Sequence, residues 1–130
     1  EKSAIIKILI NKFFQWRVEK KFSSGFRGVI NFLKEPSTKE LFKFASPYVP
    51  DSFEGETVLS IGKTVDLIKR GARGIINAIP FGCMPGAIVT ALLRFIQRDY
   101  NIPVVSLAYD GTNSTVNELW LEAFIDTIKI

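Results

Sequence analysis

The stretch Gly74-Ile75-Ile76-Asn77-Ala78-Ile79-Pro80-Phe81-Gly82-Cys83-Met84-Pro85-Gly86 decides how this chain is read. Ile75 to Phe81 is a short, nearly all-apolar run followed by a glycine, the pattern of a strand buried on both faces of a parallel sheet, with Pro80 at its end. Pro85 suits the first turn of a following helix, where its missing N–H costs nothing. Ile88, Ala91, Leu92, Phe95 and Ile96 form the expected buried face of that helix, and Asn101 its stop. Pro103 to Ala108 reads as a second strand. Two adjacent strands joined by a helical crossover run parallel, so the loops that follow them lie side by side at one edge of the sheet.

Upstream, Glu56 opens a helix with Val58, Ile61, Val65 and Ile68 on one face and Gly71 as its stop. Ser37-Thr38-Lys39-Glu40 is a capping box that starts a short helix to about Ala45, ended by Pro47 and Pro50. Phe22 to Leu33 reads as a loop leading into a short apolar element, Val29 to Leu33. Downstream, Asp110 to Ser114 is turn-rich, and Thr115-Val116-Asn117-Glu118 is a second capping box before a helix to about Lys129. The expected fold is a single α/β domain: a mainly helical segment over residues 1–50, then a Rossmann-like parallel sheet layered with helices over residues 51–130.

The first helix is unusual. Ser3, Lys7, Asn11, Gln15 and Glu19 recur every four positions as a narrow polar stripe, while Ile5, Ile6, Ile8, Leu9, Ile10, Phe13, Phe14, Trp16 and Val18 cover most of the remaining circumference. Such a helix is expected to be covered by the Phe22 to Phe44 region, by a missing domain, or by a second copy through self-association.

At 130 residues with 47% hydrophobic content, the chain suffices for one domain with a real core. The 17 basic and 13 acidic residues give a net charge of +4, too dispersed for a nucleic-acid footprint. A single cysteine excludes an intrachain disulfide and fits a reducing compartment, with the cytoplasm as the default. Lys7, Asn11, Lys12, Gln15 and Arg17 interrupt the apolar stretch from Ala4 to Val18, so no membrane span is expected there. The chain does not begin with Met, which suggests a processed or excised piece of a longer protein.

Ligands of open parallel sheets usually bind outside the carboxyl ends of the strands. Two loops occupy that place, Phe81 to Gly86 and the one starting at Tyr109-Asp110-Gly111, and Gly82, Cys83, Gly86 and Asp110 are the candidate binding residues. Cys83 stands at a helix N-terminus, whose unpaired N–H groups favour a thiolate or another anion. It reads either as a small buried residue in a tight turn or as a reactive thiol. The chain has no histidine and no second cysteine, so an internal Cys-His pair or a resolving thiol is excluded. A phosphate loop, a GxGxxG turn and a multi-cysteine ligand set are also missing, so neither ATP hydrolysis nor a complete iron–sulfur cluster is expected of the chain alone, and it is not expected to be catalytic by itself. A phosphate of CoA or of a nucleotide, seated at the Gly82 to Gly86 helix start, is the alternative.

A third reading of Cys83 comes from resemblance. Gly55-Glu56-Thr57-Val58-Leu59-Ser60-Ile61-Gly62, Gly74-Ile75-Ile76-Asn77, Pro80-Phe81-Gly82-Cys83-Met84-Pro85-Gly86, Ile102-Pro103-Val104, Tyr109-Asp110-Gly111 and Leu121-Glu122-Ala123-Phe124 occur in the order seen near the C-terminus of the large CoA-substrate-specific enzyme activases of the 2-hydroxyacyl-CoA dehydratase system. About Gly55 to Ile128 resembles that family, and more distantly its cluster-bearing dehydratase component. The resemblance implies an accessory domain of an ATP-dependent, low-potential electron donor to a 2-hydroxyacyl-CoA dehydratase, with the ATPase domains elsewhere in the parent chain. It further implies that Cys83 is one ligand of a [4Fe-4S] cluster in the full-length parent, with no cofactor in this piece alone. Trp120-Leu121 stands where the family usually carries an arginine, a cation that could have paired with Asp110, Glu118 or a ligand carboxylate.

Overall fold

Five helices and two strands follow one another in the computed structural model, which describes residues 2–26, 35–50, 52, 53, 55–112 and 115–129. They are α1 (Lys2–Gly25), α2 (Thr38–Ala45), α3 (Glu56–Lys69), β1 (Ile75–Pro80), α4 (Met84–Tyr100), β2 (Val104–Tyr109) and α5 (Thr115–Lys129). The chain divides into two compact units, residues 1–35 and 36–130.

In the first unit, α1 runs through Gly25. The loop expected from Phe22 therefore starts later, because Ser24 Oγ donates to Lys21 O at 2.7 Å and a serine bonded back to the preceding turn is compatible with a helix. Val29 to Leu33 lies outside the described residues. Within its own unit the apolar side chains of α1 are exposed, Ile6 by 56%, Phe13 by 54% and Phe14 by 63%, and residues 27–34 of the region expected to cover them lie outside the described residues. Its apolar side chains do not hold one face. Ile6, Leu9, Ile10 and Phe13 share one side, whereas Val18 and Phe22 lie on the opposite side, as the helical repeat dictates.

The second unit starts at the Ser37 capping box. Ser37 N–H donates to Glu40 Oε2 at 2.8 Å, and Glu40 N–H donates back to Ser37 Oγ at 3.3 Å. The helix α2 that follows lies tight against α3. There Gly62 faces the Leu41 backbone so closely that a Cβ would sit 2.8 Å from the Leu41 carbonyl carbon. On α3, Val58, Ile61 and Val65 are buried as the spacing predicts. Asp66 is buried too and accepts from Arg70 Nε at 2.7 Å, with Lys63 Nζ at 3.5 Å, so its charge is compensated from its own helix. Past the helix end, Gly71 takes the left-handed φ of +94° that a glycine supplies without strain.

β1 and β2 pair in parallel, in register from Ile75↔Val104 to Pro80↔Tyr109, with α4 as the crossover. The Rossmann-like layered sheet is nevertheless overturned: among the described residues the sheet has two strands, and the unit is mostly helical. The reason lies in the core. Ala45, Val49, Val58, Ile61, Val65, Val89, Leu93 and Ile96 bury against one another around α2, α3 and α4, and Ile75 at the start of β1 and Ile102 just before β2 join them, with Val104 packed against the cluster. Helix packs on helix here, where a layered fold would pack helices on a wide sheet.

Two finer expectations also change. β1 is not buried on both faces, since Ile75 is buried and Ile76 is 48% exposed. α4 covers the side of Ile75, Asn77 and Ile79, while α5 packs along β2 on the way back and leaves Ile76 open. On α4 the inward face is Gly86, Val89, Leu93 and Ile96, so Ala91 and Phe95 point to solvent, with Phe95 50% exposed. Asn101 closes α4 in the left-handed conformation at φ 48°, as an asparagine can. Thr115 is already helical in α5, so it does not itself serve as the cap expected of it.

Tyr48 ties the α2 end to the α4 end, its hydroxyl donating to Asp99 Oδ2 at 3.1 Å. Burial first, then that bond and the Asp99 charge, push its pKa up to about 12 from 10.0. A folded pKa above the unfolded one means stability that is whole below pH 10 and falls as the pH rises toward 12. Alkaline urea titrations should show this fall in the wild-type chain and a shallower one in Tyr48→Phe. Identical slopes would refute the linkage.

Candidate functional site

The site is built by the residues that follow β1. Phe81 N–H donates to Tyr109 O at 2.8 Å, which continues the strand pairing one step and holds the two loops at a common edge. Gly82 then reverses the chain with φ +76°, a conformation that side-chain-bearing residues rarely adopt. Cys83 N–H donates to Pro80 O at 3.1 Å and closes the turn. Cys83 is the N-cap of α4, in an extended conformation (φ −71°, ψ 111°), and its carbonyl accepts from Ala87 N–H at 2.9 Å. No side chain caps this end, and Pro85 sits in the first turn as anticipated.

The thiol of Cys83 is half-buried. A Cβ built on Gly86 would sit 2.9 Å from Ile79 Cγ2 and 3.4 Å from Cys83 Sγ, so the sulfur lies against the first turn of α4. Gly86 is itself buried, and its observed role is close packing of α4 on β1. Phe81 and Met84 flank the cysteine in sequence and are 77% and 72% exposed, and Tyr109 on the facing strand is 47% exposed.

Asp110 belongs to the same edge, one residue beyond Tyr109, and is exposed. Its Oδ1 accepts from Thr112 Oγ1 at 2.6 Å and from Thr112 N–H at 2.9 Å. Those two bonds, side chain first, hold its carboxyl below the usual range. One carboxylate oxygen is thus engaged in its own Asx turn, which Gly111 helps form at φ +88°. Asn117 Nδ2 donates to Ala108 O at 2.7 Å and fastens the start of α5 to the end of β2.

Gly82, Cys83 and Gly86 therefore share one turn, with Asp110 on the neighbouring loop. Among the described residues, no group of three or more Cys, Asp or Glu side chains is placed to hold a metal ion. Sequence reasoning missed the polar cluster behind the loop. Asn77 Nδ2 donates to Thr90 Oγ1 at 3.1 Å and to Ser106 Oγ at 3.2 Å, and Thr90 Oγ1 donates to Gly86 O at 2.9 Å. This chain of bonds links both strands to the first turn of α4 and so fixes where the Cys83 loop stands. Its signal was present: Asn77 and Ser106 are polar residues in the middle of two apolar runs, in register with each other.

No helix among the described residues is long and apolar enough to cross a membrane. Set against known proteins, the chain matches no family model, no curated protein and no solved structure.

Proposed function

We propose that this chain is an accessory C-terminal domain of an ATP-dependent iron–sulfur activator of 2-hydroxyacyl-CoA dehydratase, to which it lends one thiolate and a docking surface. The observation that supports the reading best is the setting of Cys83, a half-buried thiol at an uncapped helix N-terminus at the carboxyl edge of a parallel strand pair. Backbone N–H groups at such an end suit a ligand that carries negative charge, as the thiolate of a cluster does. The motif order from Gly55 to Phe124 supports the family assignment.

The donor set fits one ligand position of a four-iron cluster. Cys83 is the single sulfur ligand of its kind in the chain, so the other three thiolates come from elsewhere in the parent or from its partner. When bound, the cluster supplies one-electron transfer at low potential. The chain's own part is to hold Cys83 still: Gly82 and the Cys83 to Pro80 bond set the turn, and Gly86 and the Asn77 cluster fix the helix behind it. The remaining domains of the parent and the dehydratase are the proposed partners, and a reducing cytoplasm is the matching location for a lone free cysteine. Phosphate binding at the same loop is the weaker reading. Only the helix start and the net charge of +4 favour it.

Anaerobic iron and sulfide analysis of the intact parent tests the ligand role. Cys83→Ser should lower both iron and sulfide per chain while leaving circular dichroism unchanged. Full occupancy in the variant would remove Cys83 from the ligand set.

A further inference from the structure

Helix α5 carries two apolar stripes, about a third of a turn apart. Phe124, 7% exposed, and half-buried Asn117, Leu121 and Ile128 recur at i, i+4, i+7 and i+11 and turn inward, where Phe124 and Ile128 press on Gly74. Val116, Leu119, Trp120 and Ala123 recur at i, i+3, i+4 and i+7 on the outer side, and the first three are 60%, 61% and 61% exposed. A helix needs one apolar stripe to pack on its own domain, and the second stripe has no such use. Trp120 in its centre is the residue type that most often carries binding energy at interfaces.

The charges beside that stripe select what covers it. Glu118 and Glu122 run at i and i+4 along one flank, in a chain whose net charge is +4. A second copy docked antiparallel about a two-fold axis would set this acidic flank against its own counterpart, and one docked parallel would set it against the uncharged far flank of the stripe, so neither arrangement of α5 on α5 supplies a cation. A helix with the same apolar spacing and Lys or Arg on the facing flank meets the stripe and the charges together.

We infer that the outer face of α5 is a docking surface for an amphipathic helix of another protein, one with apolar side chains at i, i+3, i+4 and i+7 and a basic flank. This gives the docking surface of the proposed accessory role a location, although the argument rests on α5 alone and not on Cys83.

Two synthetic helical peptides with the same leucine stripe, one lysine-flanked and one glutamate-flanked, are titrated into the chain by calorimetry at low and high salt. The lysine peptide should bind at least about tenfold more tightly than the glutamate peptide at low salt, and added salt should narrow the gap. Trp120→Ala should weaken the lysine peptide by about tenfold or more. Glu118→Lys with Glu122→Lys should reverse the preference between the peptides, an outcome that misfolding cannot imitate. Cys83→Ser should bind as the wild type does, so failure of the cluster reading and failure of this one are separable. Equal binding of both peptides, or binding indifferent to Trp120, overturns the inference. So does a Trp120-dependent dimer seen by sedimentation without peptide.

Discussion

Gly62→Ala is expected to destabilise the 36–130 unit by about 2 kcal/mol or more, although alanine is the better helix former by up to about 1 kcal/mol. The sign follows from what the new methyl group would meet. Its carbon would sit 2.8 Å from the Leu41 carbonyl carbon and 3.0 Å from Leu41 Cα, and closer still to the Leu41 carbonyl oxygen. These are backbone atoms, so no rotamer change relieves the overlap and α2 must move away as a body. That movement strains the Ser37 capping box at one end and uncovers Ala45 and Ile61, both 0% exposed, at the interface. Urea unfolding of the two proteins measures the difference. A variant as stable as the wild type would mean that α2 does not lie where the structure puts it.

Leu93→Ala should cost about 2–5 kcal/mol, the range for a buried leucine whose cavity collapses only in part. Leu93 is 1% exposed in the centre of the core, between Val89 and Ile96 on the inward face of α4. The informative comparison is Phe95→Ala two residues on. Phe95 is larger but 50% exposed, so its truncation should change stability by no more than about 0.5 kcal/mol. The sequence pattern alone ranks the two the other way, because Phe95 belongs to the apolar set expected inside. If Phe95→Ala proved as damaging as Leu93→Ala, the orientation of α4 described above would be incorrect.

The α4 case shows how a pattern misleads by a fraction of a turn. Ile88, Ala91, Leu92, Phe95 and Ile96 obey helical spacing, and so do Gly86, Val89, Leu93 and Ile96. Both sets are mostly apolar, so periodicity cannot choose between them. The choice was made by Gly86, whose lack of a side chain lets that side of the helix approach Ile79. In α5 the ambiguity is real in the molecule, since one apolar stripe is buried at Phe124 and the other exposed at Trp120. For the candidate site, the common turn of Gly82, Cys83 and Gly86 was legible because sequence neighbours in a Gly-Cys-Met-Pro-Gly run cannot be far apart. That Asp110 spends one of its oxygens on Thr112 was not, because a side chain's partner depends on the local path of the turn.

By itself, the sequence determined the position of each described helix and strand to within a few residues, the parallel sense of β1 and β2, and the Ser37 cap. These depend on neighbours along the chain or on a crossover too long to allow a hairpin. Only the tertiary structure decided that the core is helix against helix, that the sheet is a pair of strands, and which faces of α4 and α5 are wet. Those outcomes depend on contacts between distant residues, such as Gly62 with Leu41 and Asn77 with Thr90 and Ser106, and local propensity carries no information about which distant surface will be met.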